Sequence, residues 1–308
     1  PDGVREGALR LVDGCIEAIG GEAQDGDEIV DARGHLVAPG LVDFGVFAID
    51  KPAFHFGGIT RAALMPDQSP PLDLPSRVSY IAKSGKPDFW VHPLAAATRG
   101  LEGREIAELG LMRAAGARGV ATGRQWIADS GAMLRLLQYA AMLDLVVVAH
   151  AEDAALVGSA VATAGEIATR RGLPSAPAEA EAIALTRDIA LAEMAGARIH
   201  FRQVTTRAGL DIVRQAKARG LPVTCGVTPA HFMLSDLATV DFRTFARLSP
   251  PLRTEDDRRR AERDDIAAAL KIAKGRVFGP GGAAEILGVK PTTLAPRLKK
   301  LGVRPELS

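Results

Sequence analysis

The rhythm of apolar and polar positions changes at residue 40. Before it, apolar residues fall in short alternating pieces at 8–12, 15–19 and 28–32, with Asp13-Gly14 and Gly20-Gly21 between them. Alternation broken by such pairs predicts a small antiparallel sheet with tight turns. After Pro39-Gly40, itself a turn signal, compact apolar runs alternate with amphipathic stretches of helical period. The runs lie at 41–47, 58–65, 89–93, 117–122, 145–150, 197–204 and 221–227. The first is apolar and branched, the pattern of a strand buried on both faces of a parallel sheet. Helices are predicted at 133–143, 178–195 and 207–219. Repeated strand–helix units imply parallel strands and right-handed crossovers. Seven strands can be counted, where a closed barrel of this type needs eight. A sheet one strand short keeps two edges with unpaired backbone groups.

Beyond residue 258 the pattern becomes all-helical. A helix is predicted at 264–272, with Ile266 and Leu270 four apart, then a Gly-rich loop and a short helix at 283–287. Gly288-Val289-Lys290-Pro291 reads as a tight turn, followed by a helix at 292–301 with Leu294, Leu298 and Leu301 on one face. Two short helices joined by such a turn form a helix-turn-helix. Pro296 lies inside the second one, where proline removes a backbone bond.

Composition narrows the classes. The chain has 308 residues, 47% hydrophobic and 24% charged, ordinary values for a globular protein. It contains no apolar run long enough for a membrane span and no signal-peptide pattern. Two cysteines, Cys15 and Cys225, build neither a disulfide framework nor a metal motif, and a cytoplasmic location is expected. The net charge of +1 is unevenly spread: from Arg258 onward there are twelve Lys or Arg against five Asp or Glu. That asymmetry suggests a separate basic module.

Several short motifs carry more. Pro39-Gly40-Leu41-Val42-Asp43, Met65-Pro66-Asp67, His150-Ala151-Glu152-Asp153, the stretch 223–231, and Leu248-Ser249-Pro250-Pro251-Leu252-Arg253 stand in this order. Together they resemble the dihydroorotase-like cyclic amidohydrolases, over roughly residues 1–258. The resemblance implies a TIM-type (β/α) barrel behind an N-terminal β-sheet, incomplete here before the eighth strand. It also implies a zinc pair held by His and carboxylate ligands. At those places the chain has Gly45 and Phe47 in the first strand, neither Asp nor Lys between 116 and 129, and Gln203 in the sixth strand. The eighth-strand Asp is absent, and Ile49 stands where an Arg would bind the substrate carboxylate. His150 is the only retained ligand position. His55, His92, His200 and His231 form no His-x-His pair, and Asp67, Glu152 and Asp153 read as caps and turn acceptors.

The segment from Gly275 to Val303 resembles the Fis-type helix-turn-helix of bacterial transcriptional activators. That resemblance implies double-stranded DNA as a partner, with Thr292, Thr293 and Arg297 as base or phosphate contacts and Lys290, Lys299 and Lys300 on phosphate. The organisation expected is a β-sheet cap at 1–39, a barrel at 40–258 and a helix-turn-helix at 259–308, assembled as an oligomer. The function expected is a catalytically inactive dihydroorotase-like scaffold, without cofactor or catalytic residues, partnering aspartate transcarbamoylase in pyrimidine biosynthesis. Three alternatives remain open: a regulator whose barrel senses a ligand, an active zinc-dependent cyclic amide hydrolase, and a recombined reading frame.

Overall fold

The structure, a computed structural model, describes residues 7–32, 34–35, 37–86, 88–279, 281–287 and 291–303. The chain divides into two compact units, Gly40–Glu262 on one side and Pro1–Pro39 with Arg263–Ser308 on the other.

In the N-terminal part, β1 (Leu9–Val12) pairs antiparallel with β2 (Cys15–Ile19). Asp13 and Gly14 both have positive φ, the geometry a two-residue hairpin turn demands. The third predicted strand, at 28–32, does not form. Ile29 and Val30 stay exposed there, and an alternating face with nothing to bury against gains little from a ladder.

The larger unit is a curled parallel sheet in the order β11-β10-β7-β6-β5-β4-β3. Its strands are β3 (Leu41–Val46), β4 (Ile59–Leu64), β5 (Trp90–Ala96), β6 (Gly119–Ala121), β7 (Val146–Ala149), β10 (Ile199–Phe201) and β11 (Val223–Cys225). Each falls within a predicted apolar run or overlaps it. A two-by-two-residue ladder, β8 (Ala162–Thr163) with β9 (Ser175–Ala176), sits in the connection after β7. The architecture is α/β, an incomplete TIM-type barrel with β3 and β11 at its edges.

Helices α1 (Lys51–Phe56), α2 (Pro75–Lys83), α3 (Leu109–Ala114), α4 (Ser130–Met142), α7 (Glu179–Ala195) and α8 (Arg207–Ala218) pack on the sheet, and the short α5 (Ala154–Val157), α6 (Glu166–Arg171) and α9 (Pro229–Met233) lie in the connections. Several starts are set by side chains. Asp129 caps α4 through Ala132 N, Asp153 caps α5 through Ala155 N, and Thr206 caps α8 through Gly209 N. The core joins Leu64, Val91, Val120, Val147 and Ile199 of the strands to Met112, Leu136, Leu137, Leu185 and Val213 of the helices.

The first strand differs from expectation. In β3, Leu41, Val42 and Phe44 are exposed rather than buried on both faces, because β3 is an edge paired only with β4. The sheet curls enough to bring this edge to the far side of the interior. The Phe44 ring meets the His200 ring of β10 edge-on, with centroids 5.0 Å apart.

Helix α10 (Glu255–Ile272) starts well before the expected residue 264. Acids Glu255, Asp256 and Asp257 fill its first turn, and Arg258 pairs with Glu255 and Glu262 along one side. Helices α11 (Ala283–Ile286) and α12 (Pro291–Leu301) follow. Ile266, Leu270, Ala283, Leu294 and Leu298 form their own apolar cluster. Three packed helices are therefore present. The residues of the expected tight turn at 288–290 lie outside the described ones, so a helix-turn-helix as such is not established.

Candidate functional site at the strand ends

The C-terminal ends of the sheet strands gather Phe47, Asp67, Arg124, His150, Glu152, Arg202 and Gln203, the end at which barrel enzymes build their sites. Gly45 lies beside Arg202. Its φ is +149°, and a Cβ there would touch the Arg202 stem, 3.6 Å from Cδ. Phe47, two residues on, lies under two guanidinium groups, Arg124 at 4.0 Å and Arg202 at 5.0 Å from the ring centroid.

His150 is buried and fully engaged. Its backbone N–H donates to Thr122 Oγ1 at 3.0 Å. Its Nδ1 lies 3.3 Å from Arg202 Nη2, and its Nε2 lies 3.3 Å from Glu152 Oε2. A guanidinium only donates, so Nδ1 accepts and the ring proton sits on Nε2, facing the carboxylate. Asp67 accepts the Arg124 backbone N–H at 2.9 Å through Oδ1. Asp153, by contrast, is absorbed as the α5 cap.

Four buried polar atoms among the described residues have no hydrogen-bond partner within the protein: Asp67 Oδ2, Glu152 Oε1, Gln203 Oε1 and Arg202 Nε. All four belong to this one cluster. Three are acceptors and one is a donor. Burial lowers the Arg202 pKa to about 10, with Asp67 and Glu152 raising it and Arg124 lowering it.

A second, fully satisfied network lies beside the cluster. Glu181 is completely buried and accepts from the backbone N–H and hydroxyl of both Thr205 and Thr206. Arg253 donates to Thr205 Oγ1 at 2.8 Å and to Thr163 Oγ1 at 3.1 Å, with Nη2 3.4 Å from Glu181 and 3.7 Å from Glu152 Oε1. His231 Nε2 donates to Pro250 O at 2.7 Å, and burial lowers its pKa. The Pro-Pro-Leu-Arg motif is therefore a tether that ties residues 250–253 to the sheet.

The zinc pair implied by the sequence resemblance needs several imidazole and carboxylate ligands together. Among the described residues no group of three or more His, Cys, Asp and Glu stands close enough to hold a metal ion. Gly45, Phe47 and Gln203 occupy three ligand places, and Arg202 abuts the one imidazole that remains. These residues do not fit the metal pair.

Five of the six expected nucleic-acid residues lie on α12. Thr292 and Thr293 are exposed on its first turn and Lys299 and Lys300 on its last, while Arg297 is half-buried. Lys290 lies outside the described residues. Pro296 does sit inside the helix.

The chain's kinship follows from comparison with known proteins. A model of the dihydro-orotase-like family matches residues 29–208. This chain belongs to the dihydroorotase-like family. Among its relatives, the dihydroorotase of Pelotomaculum thermopropionicum is 39% identical over 269 residues, covering 82% of this chain and 63% of that protein. The dihydroorotase of Syntrophotalea carbinolica is 40% identical over 265 residues, covering 80% and 62%. Over the aligned stretches more than a third of the positions are identical, and this chain spans a little under two thirds of those relatives' length. Among solved structures, an L-hydantoinase from Arthrobacter aurescens superposes with a TM-score of 0.71 at 22% identity, covering 86% of this chain and 64% of that one. A D-hydantoinase from Thermus sp. gives 0.62 at 24% identity, over 86% and 62%. These last two bear on the fold alone.

The expectation of a catalytically inactive scaffold is corrected by these relatives, which carry the name of an enzyme at 36–40% identity. That expectation rested on the missing metal ligands, imidazole and carboxylate alike, and on Ile49 in place of a substrate-binding Arg. It passed over Arg202 and Arg124, which fill the same end of the sheet with positive charge. No helix among the described residues is long and apolar enough to cross a membrane.

Proposed function

We propose that this dihydroorotase-like chain hydrolyses a cyclic amide of the dihydroorotate type, opening the ring to an open-chain carbamoyl acid. The observation that carries the reading is the set of four buried atoms at the strand ends without a hydrogen bond in the protein. Three acceptors and one donor complement a ring that presents N–H groups beside a carbonyl. Kinship to enzymes named dihydroorotase supports the same substrate class.

Glu152 is the base in this reading. One carboxylate oxygen is occupied by His150, while Oε1 is buried without a hydrogen bond. Oε1 takes a proton from water as the water oxygen bonds to the amide carbon. The carbon–nitrogen bond then breaks and the proton passes to the departing ring nitrogen, leaving a carboxylic acid that ionises. A positioned base of this kind contributes about 10²–10⁴-fold. His150 holds Glu152 in place and is a positioning residue. The donor set among the described residues does not fit zinc.

The test is turnover of dihydroorotate by the purified chain, with chelator and with added zinc. Turnover that persists with chelator and falls by about 10²-fold or more in Glu152→Gln is expected. No turnover under either condition would overturn the reading.

A second reading concerns α12, whose exposed Thr292, Thr293, Lys299 and Lys300 sit opposite the buried Leu294 and Leu298. We propose that this face contacts duplex DNA through phosphate. Retention of genomic fragments in a gel shift should fall steeply with salt. Absence of any retention at low salt would remove it.

A further inference from the structure

We infer that Arg202 is the resident cation of the strand-end site and donates from Nε to the carbonyl oxygen of the ring being opened. The inference rests on the cyclic-amide reading above and assigns its electrophile.

Three observations converge on this guanidinium. Its Nη2 is held by His150 Nδ1 at 3.3 Å, while Nε is buried with no partner in the protein. A donor in that state costs free energy unless something accepts from it. The neighbouring first strand runs beside it: a Cβ at Gly45 would lie in van der Waals contact with the Arg202 stem, 3.6 Å from Cδ. Phe47 supplies a ring on which the guanidinium packs, and Arg124 shares that ring. Gly45, Phe47 and Arg202 thus form one arrangement. The two first-strand positions without an imidazole are the two that lie against the arginine.

The chemistry follows from the charge. Attack of water on an amide carbon builds negative charge on the carbonyl oxygen, and a fixed donor in a dry site stabilises it. Asp67 and Glu152 lie within the electrostatic reach of the guanidinium and offset its charge in the resting site. Its burial fixes it as a donor rather than a solvated surface charge.

The experiment has three readouts on the full chain. The first is zinc content after zinc loading and dialysis. Far less than one zinc per chain is expected, and one or more retained ions that vanish in His150→Ala would overturn the inference. The second is the ¹⁵N resonance of Arg202 Nε, assigned by its loss in Arg202→Lys. It is expected to shift on saturation with dihydroorotate while that of Arg187 stays put, and an unmoved Arg202 signal would overturn the inference. The third is Arg202→Lys kinetics. A fall of about 10²–10³-fold in kcat with a smaller change in KM is expected, and wild-type kcat would overturn it. A shifted Nε signal without turnover would sink the hydrolase reading yet support the guanidinium as a carbonyl-binding group. Turnover with an unmoved signal would do the reverse.

Discussion

Glu181 Oε2 and Arg253 Nη2 lie 3.4 Å apart, 72 residues distant in sequence, with side-chain exposures of 0% and 3%. Two charges so deeply buried persist with the help of Thr205 and Thr206, which donate to Glu181, and of Thr163 and Thr205, which accept from Arg253. Glu181→Gln would put an amide N–H₂ against donors and leave Arg253 short of a counter-charge. Breaking such a pair costs about 3–5 kcal/mol. A drop of that order in chemical denaturation is expected; a loss under about 1 kcal/mol would show that the tether contributes little.

The Arg202–His150 contact predicts a tautomer. With Nδ1 accepting, His150 should show a pyridine-type ¹⁵N shift at Nδ1 and a pyrrole-type shift at Nε2. The reverse assignment would contradict the geometry on which the Glu152 base depends.

Asp188 gives a pH signature. It is fully buried beneath Trp126, whose indole N–H donates to Oδ2 at 3.2 Å, and pairs with Arg187. Burial outweighs both partners and raises its pKa to about 6. The unfolded value is about 3.9, so the folded state holds the extra proton between about pH 4 and 6, and stability contributed by this group falls as pH rises through that window. Unfolding measured across the window should slope downward in wild type, and the slope should shrink in Asp188→Asn.

Gly123 is a point of strain for any other residue. Its φ is +74°, and a Cβ would lie 2.8 Å from Asp67 Oδ1, the atom that receives the Arg124 N–H. Gly123→Ala should cost about 1–3 kcal/mol. It should also lower turnover by displacing Asp67; unchanged melting and unchanged activity together would refute this.

Proline 296 lies exposed in the middle of α12. Pro296→Ala restores one helical hydrogen bond and should stabilise this helix by up to about 3 kcal/mol. Slower amide exchange at 298–301 is the measurement; no change would mean the helix already bends to suit the ring.

Much of the fold was legible. All seven sheet strands lie where the apolar runs are, since a strand needs only a few consecutive apolar residues to show itself. The exposure of β3 was not, because a run says that a strand forms and not what stands beside it. The early start of α10 was hidden too: residues 255–263 are nearly all charged, and their helix rests on ion pairs and first-turn acids rather than apolar period. In the site, His150, Asp67 and Glu152 were visible from motifs. Arg202 was not, since its meaning depends on His150, 52 residues away, and on the missing side chain at Gly45.

The edge-on meeting of Phe44 with His200 has a consequence for how the mouth is gauged. In a sealed cylinder, an unbroken ring of backbone bonds sets the bore. Here the sheet has two ends, and the bore is measured off instead by a few side chains reaching across it: a phenyl on an imidazole, and the Phe47 ring under the Arg202 guanidinium. Trimming either would change the aperture without breaking a single rung.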